Sequence, residues 1–330
     1  MSDIDNEGLI DEDFTADHLA AQAAVPLAAE IVSSVLNLSV RRVTPLVGMG
    51  SVNLILFVQT SGEEIVVRLN KPEDDAGKVC GDYEKERWCL KQASAAGIPG
   101  PEVLALGEYS ERAFMLQNRL PGVNGKQSGM APDALFQVLG RYARVIHVLP
   151  ANGFGDSLEA FENSNAQEGW LRFVDYNLGE LTERDPLLAL GVYTPSQQRS
   201  IREAFTWLRH LPLRIALNHG DLARRNTIVD EKGRVSLLDW GCAEMHVVPH
   251  YDLNALLHYY QPDHPHLHAF LEGYGITGEE WTRLWPEVQA LVLLKAFDLT
   301  RWAIDRCPAR IGELAQRAHQ CLSRYPESAA

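Results

Sequence analysis

The sequence predicts an α+β protein with two segregated lobes, a small β-rich N-lobe and a larger helical C-lobe. Three observations carry this. Short apolar runs separated by Gly-rich or polar turns fill residues 43–119, helical patterns dominate after a Leu120-Pro121-Gly122 break, and 330 residues are enough for two cores. The expected layout is an acidic tail at 1–13, a first lobe at 14–119 and a second at 120–330, hinged near 117–122.

The elements follow in order. The stretch Leu19–Leu36 is apolar but interrupted by Gln22 and Glu30, so it reads as soluble helix and not as a membrane span. VTPLV, the turn GMGS, VNLILFVQT, SGEE and IVVRLN then read as strand, glycine turn, strand, hairpin turn and strand. Lys71-Pro72 ends that run. A helix is expected over 78–96, stopped by Gly97 and Pro99, followed by strands at Val103–Gly107 and Arg112–Arg119. Helices are expected near 132–149, 168–181 and 195–209, a hairpin at 226–238, and helices again from 252. His264, His266 and His268 alternate around Pro265 and read as a surface loop.

Composition excludes several function classes. Forty-four Asp and Glu against 30 Lys and Arg give a net charge of −14, which argues against nonspecific nucleic-acid binding. The five cysteines, Cys80, Cys89, Cys242, Cys307 and Cys321, are odd in number and lack Cys-x-x-Cys spacing. That argues against a disulfide framework or a thiolate zinc site and fits a reducing cytoplasm. The acidic N-terminus is unlike a signal peptide. A cytoplasmic protein with no nucleic-acid or membrane partner is expected.

The chemistry concentrates in LNHGDLARRNTIVDEKGRVSLLDWGC, residues 217–242. Two apolar runs, Ile228-Val229 and Val235 to Leu238, flank the turn Asp230-Glu231-Lys232-Gly233, where glycine accepts a positive φ. Antiparallel pairing brings Asn226 and Asp239 to the open end of this hairpin, with Asp221 on the entering loop. Asp and Asn oxygens suit Mg2+, which takes one or two protein ligands and completes its shell with water and phosphate oxygens. The order Asp221, Asn226 five residues on, then Asp239-Trp240-Gly241 is that of a kinase catalytic loop and metal motif. There, one Asp accepts the proton of the attacking hydroxyl, and the Asn and second Asp hold metal over the phosphates.

His219-Gly220-Asp221-Leu222 followed by Asn226 and Leu237-Leu238-Asp239-Trp240-Gly241 resembles the aminoglycoside phosphotransferase/choline kinase-like family, over about residues 40–300. The resemblance implies a two-lobed, protein-kinase-like fold with nucleotide in the interlobe cleft. It implies Mg2+-dependent transfer of the γ-phosphate of ATP or GTP to a hydroxyl of a small molecule, an aminoglycoside-like or other cationic or polyhydroxy compound. Asp221 is then the catalytic base, and Asn226 and Asp239 are the metal ligands. Gly48, Gly50, Ser51 and Asn53 form the turn over the phosphates. Arg68 stands at the phosphate-binding Lys position, with Glu86, or else Glu84, as its helix partner. Gln117, Asn118 and Arg119 lie where the backbone meets the base. His219 orients the loop, and Asp252 caps a helix or buttresses that loop. Arg225 departs from the small residue that relatives often carry just before the Asn. The stretch after Asp239 lacks an Ala-Pro-Glu motif, which disfavours a protein acceptor. Two further readings stay open: a catalytically silent kinase-like nucleotide-binding protein, for which Arg68 is the support, and a metabolic kinase for a sugar or amino alcohol. Residues 151–190 carry eight acids against two bases, so a neutral or cationic acceptor is expected from steering by charge.

Overall fold

The structure, a computed structural model, describes residues 14–46, 53–149, 152–163 and 165–325. The acidic tail and the glycine turn with Gly48, Gly50 and Ser51 lie outside the described residues. In chain order the helices are α1 (Phe14–Ala23), α2 (Val25–Leu36), α3 (Ala76–Ala95), α4 (Pro132–Ile146), α5 (Leu158–Asn163), α6 (Ala166–Glu180), α7 (Pro186–Ala189), α8 (Gln198–His210), α9 (His250–Leu257), α10 (Pro265–Tyr274), α11 (Gly278–Arg306) and α12 (Ile311–Arg324). The strands are β1 (Val40–Leu46), β2 (Leu54–Thr60), β3 (Glu64–Leu69), β4 (Val103–Tyr109), β5 (Arg112–Asn118), β6 (Val123–Asn124), β7 (Ile215–Asn218), β8 (Thr227–Val229), β9 (Val235–Leu237) and β10 (Glu244–Val247). The architecture is mixed α+β, with an antiparallel sheet first and mainly helices after it. The chain packs as two compact units: the described residues up to Tyr142 with Asp221–Ala243, and Ala143–Gly220 with Glu244 onward.

In the first unit, an all-antiparallel sheet has the order β1-β2-β3-β5-β4. Alternation decides its two faces. Leu54, Leu56 and Val58 of β2 and Ile65, Val67 and Leu69 of β3 are buried with Ala28, Ile31 and Val32 of α2. Arg68 falls between Val67 and Leu69, so it points to the other face, where Ala113 and Met115 of β5 meet Tyr83 of α3. α3 starts at Ala76, two residues earlier than expected, because the Asp75 side chain accepts the Lys78 N–H and caps the helix.

The expected hairpin is β8–β9, with Gly233 at φ +75 in its turn. It joins β6 in a three-stranded sheet, and Leu135 of α4 packs on Val229 and Val235. Gly125 permits the approach. A Cβ there would lie 2.6 Å from the backbone oxygen of Arg224.

The second unit has its core where α6, α8, α11 and α12 meet, around Trp170, Phe205, Leu294 and Phe297. α11 opens with a capping box formed by Thr277 and Glu280. Buried Arg301 bonds Asn177 Oδ1 and Asp185 Oδ2, each at 2.6 Å. The His264–His268 stretch is not a loop: His264 is the N-cap of α10 and Pro265 its first residue, where the missing N–H costs nothing.

Candidate functional site

The loop that begins at Asp221 closes on itself through one 3-10 turn, Arg224–Asn226, with Asn226 N–H donating to Ala223 O at 3.0 Å. That turn converts sequence spacing into convergence. Asn226 Nδ2 donates to the backbone oxygen of Asp221 at 2.9 Å and to its Oδ2 at 2.8 Å. Arg225 Nη2 donates to Oδ1 at 2.6 Å and Oδ2 at 2.7 Å. The amide nitrogen of Asn226 is thus committed to Asp221, and its Oδ1 is the atom suited to a cation. Asn124 Nδ2 holds the Arg225 carbonyl at 2.7 Å. Within the hairpin, Asn226 O accepts the Leu238 N–H at 2.8 Å, so Leu238 is the residue opposite and Asp239 lies one step beyond.

On the sheet, Arg68 and Glu86 form a two-bond pair, 2.6 and 3.0 Å, with side chains 12% and 4% exposed. Burial works against the Arg68 cation, but the Glu86 and Asp239 carboxylates outweigh it and raise its pKa. Burial likewise pushes the Glu86 carboxyl up, against the pull of Arg68. Two charge-assisted bonds of this length keep the pair ionised. Glu84 bonds Arg87 on the exposed side of α3, so Glu86 is the partner of Arg68. Arg68 Nη2 also stands 4.0 Å from Asp239 Oδ1. Asp239 is 54% exposed at its side chain and has a left-handed backbone, φ +58, which Asp tolerates better than most residues. The Cys242 side chain has exposed surface, yet desolvation by the surrounding chain and then the Asp221 and Asp239 carboxylates push its thiol up to about 11. Both acids therefore act on one small region.

Two residues of α3 complete this arrangement and escaped the sequence reading. Lys85 Nζ donates to Gly241 O at 2.8 Å and Ala243 O at 3.3 Å, tying the helix to the chain just past Asp239. Tyr83 places its ring 5.4 Å from the Arg68 guanidinium and donates its hydroxyl to Asn53 Oδ1 at 2.9 Å. A signal for Tyr83 was present, since it lies one helical turn before Glu86. Lys85 had none beyond adjacency to Glu86.

Gln117 is buried in β5. The Asn118 N–H donates to Glu102 O at 3.2 Å and the Arg119 N–H to Glu64 O at 3.0 Å. The Arg119 guanidinium stacks 4.4 Å from the Phe57 ring. In the second unit, Asp252 sits in the first turn of α9 and gathers three donors. Its Oδ1 accepts the Gly220 N–H at 2.7 Å, and its Oδ2 takes His147 Nε2 at 2.9 Å and the His219 N–H at 3.3 Å. Burial alone would raise the Asp252 pKa, but His147, His219 and the Gly220 N–H outweigh it and lower it. His147 also meets the Tyr274 hydroxyl at 3.0 Å, and no sequence motif marked it. Gly220, at φ +78, adopts a backbone that glycine alone accepts without cost.

The acid-rich stretch at 151–190 does not gather. Asp175 pairs with Arg209 at 2.6 Å, Asp185 with Arg301 at 2.6 Å and Glu168 with Arg172 at 3.8 Å, while Asp156, Glu159, Glu162 and Glu183 are exposed. Among the described residues, no three His, Cys, Asp or Glu side chains form a metal cage. No helix among them is long and apolar enough to cross a membrane.

A family model, the phosphotransferase enzyme family, matches residues 44–291. No curated protein matches the chain. Among solved structures, a thermostable mutant of aminoglycoside phosphotransferase APH(4)-Ia, in ternary complex with AMP-PNP and hygromycin B, aligns at 18% identity and TM-score 0.63, over 92% of this chain and 99% of that one. Choline kinase LicA from Streptococcus pneumoniae aligns at 18% identity and TM-score 0.57, over 91% and 99%. A putative fructosamine-3-kinase from Haemophilus somnus aligns at 13% identity and TM-score 0.57, again over 91% and 99%. At these identities the likeness is one of fold.

Proposed function

The chain belongs to the phosphotransferase enzyme family, and from that membership we propose that it moves the γ-phosphate of ATP or GTP to a hydroxyl of an amine-bearing small alcohol. Phosphotransfer to a small-molecule hydroxyl is the family's activity. The residue roles rest on one observation: the Asp221 carboxylate is held by Asn226 and Arg225, and Arg68, Glu86 and Asp239 cluster in the same compact unit.

Asp221 accepts the acceptor's hydroxyl proton. The hydroxyl oxygen bonds to the γ-phosphorus as the bridge to the β-phosphate breaks, and nucleoside diphosphate leaves. Arg68, fixed by Glu86, neutralises phosphate charge. Asn226 Oδ1 and the Asp239 carboxylate are hard oxygen donors that fit Mg2+, which when bound offsets charge on the phosphate oxygens. Asn53, with Gly48, Gly50 and Ser51, borders the phosphates, and the 117–119 segment borders the base. Asp252 fixes the backbone of His219 and Gly220 immediately before Asp221. Arg68 makes the strand–helix ion pair, so its replacement of Lys supplies no argument for a silent protein.

Hygromycin B, choline and fructosamine, named with the neighbouring structures, combine hydroxyl with amine or ammonium, and that shared chemistry supports the acceptor class. The dispersed acids of 151–190 no longer do. The test is radiolabelled phosphate transfer from ATP and from GTP, with Mg2+, to these three compounds and to sugar phosphates. Transfer to an amine-bearing alcohol is expected, and Asp221→Asn should lose about 10²–10⁴-fold in turnover. A preference for sugar phosphates would overturn the acceptor class and leave the chemistry standing.

A further inference from the structure

We propose that Arg225 is a positioning residue for the Asp221 carboxylate, a role that rests on the reading of Asp221 as the base. One nitrogen, Nη2, bridges both carboxylate oxygens at 2.6 and 2.7 Å, and Asn226 Nδ2 adds a bond to Oδ2 at 2.8 Å. A carboxylate on a single Cβ rotates about its last torsion, a broad two-fold well. Hydrogen bonds from two different side chains on the same turn fix that rotation. Both donors are themselves anchored. Asn124 holds the Arg225 carbonyl at 2.7 Å, and the 3-10 turn is closed by Asn226 N–H on Ala223 O at 3.0 Å.

Arg225 bonds the Asp221 carboxylate, so its effect falls on the step that uses Asp221 and not on the binding of nucleotide. Its side chain is 30% exposed and that of Asp221 is 21% exposed, so the pair is within reach of solutes.

The experiment uses single-turnover Mg·ATP and Mg·GTP hydrolysis, with water as the acceptor, in the full chain and its Arg225→Ala, Arg225→Lys, Asp221→Asn and Asp221→Asn/Arg225→Ala variants. Arg225→Ala is expected to lower the single-turnover rate by about 10- to 100-fold, the size of a misplacement effect, with the half-saturating nucleotide concentration little changed. Lysine should restore less than the wild-type rate, because its freely rotating ammonium lacks the planar guanidinium that fixes the direction of the Nη2 hydrogens. Free guanidinium at sub-denaturing concentration should partly rescue Arg225→Ala and leave the wild type unaffected, which a purely structural role would not produce. Removing Arg225 in the Asp221→Asn background should cost nothing further. Urea midpoints of the four chains give a readout independent of turnover, and they too should be non-additive. Loss in Asp221→Asn without loss in Arg225→Ala, equal losses in both backgrounds, or no rescue by guanidinium overturns the Arg225 assignment alone. Turnover that survives Asp221→Asn, or none in the wild type, overturns the reading of Asp221 and the Arg225 role with it.

Discussion

At the scale of single residues, the Arg68–Glu86 pair is exposed to the cost asymmetry of buried charge. Keeping both partners gains little over apolar replacements, but removing one strands the other. Glu86→Gln should therefore destabilise the chain by about 3–5 kcal/mol, read as a lower urea midpoint at unchanged slope. An unchanged midpoint would mean that Arg68 finds another anion. Asp252 gives a pH-dependent counterpart. Its pKa is lower in the folded chain than in the unfolded one, so folding releases a proton as pH falls into the range between the two values. The stabilisation is complete above the ordinary carboxylate value of about 3.9 and is lost as pH falls toward the folded value. Asp252→Asn should be less stable than wild type near neutrality, and the gap should narrow on acidification below about pH 4. A constant gap would place the acid sensitivity elsewhere.

At the scale of elements, α3 does more than supply Glu86. Consecutive residues serve two partners: Glu86 reaches strand β3, and Lys85 reaches the carbonyls of Gly241 and Ala243. Lys85→Met should cost about 1.5–3 kcal/mol, the worth of hydrogen bonds to a charged group. It should also weaken nucleotide binding, which isothermal titration would show; equal affinity would make Lys85 purely structural. Gly220→Ala, at φ +78, should cost about 1–2 kcal/mol and lower turnover by displacing the backbone entering Asp221. The elements differ in how far the sequence revealed them. β2, β3 and α3 were legible because strand alternation and the Gly97 and Pro99 stop are local signals, although the Asp75 cap was not read. The pairing of Glu86 instead of Glu84 was not, since neighbouring residues on a helix differ only in the face they present and the face depends on the sheet beneath. β6, with two residues, and β7 and β10, with four each, are too short for a pattern and exist through partners far along the chain. Arg225 was visible as a departure from a motif, but its target appeared only with the 3-10 turn. Charge counting over 151–190 overstates the free negative charge, because a sum over sequence ignores the Arg209 and Arg301 partners contributed from elsewhere.

At the scale of the whole molecule, bound nucleotide should stabilise the native chain. At 100 times Kd the effect is about 2.7 kcal/mol, a measurable rise in Tm. Asp239→Ala should keep the fold and lose most of the Mg·nucleotide increment, and an undiminished shift would place the metal on other ligands. The division of the chain has a further consequence, during synthesis. The first compact unit needs Asp221–Ala243, yet its earlier part ends at Tyr142, and the three-stranded sheet joins β6 from before the gap to β8 and β9 from after it. A ribosome adding about 5–20 residues per second must translate the whole intervening stretch before that sheet can close. Until then, the partner surfaces of β6 and Leu135 have no hairpin to cover them. A nascent chain stalled after β7 should thus be far more sensitive to protease between 120 and 142 than one stalled beyond α9.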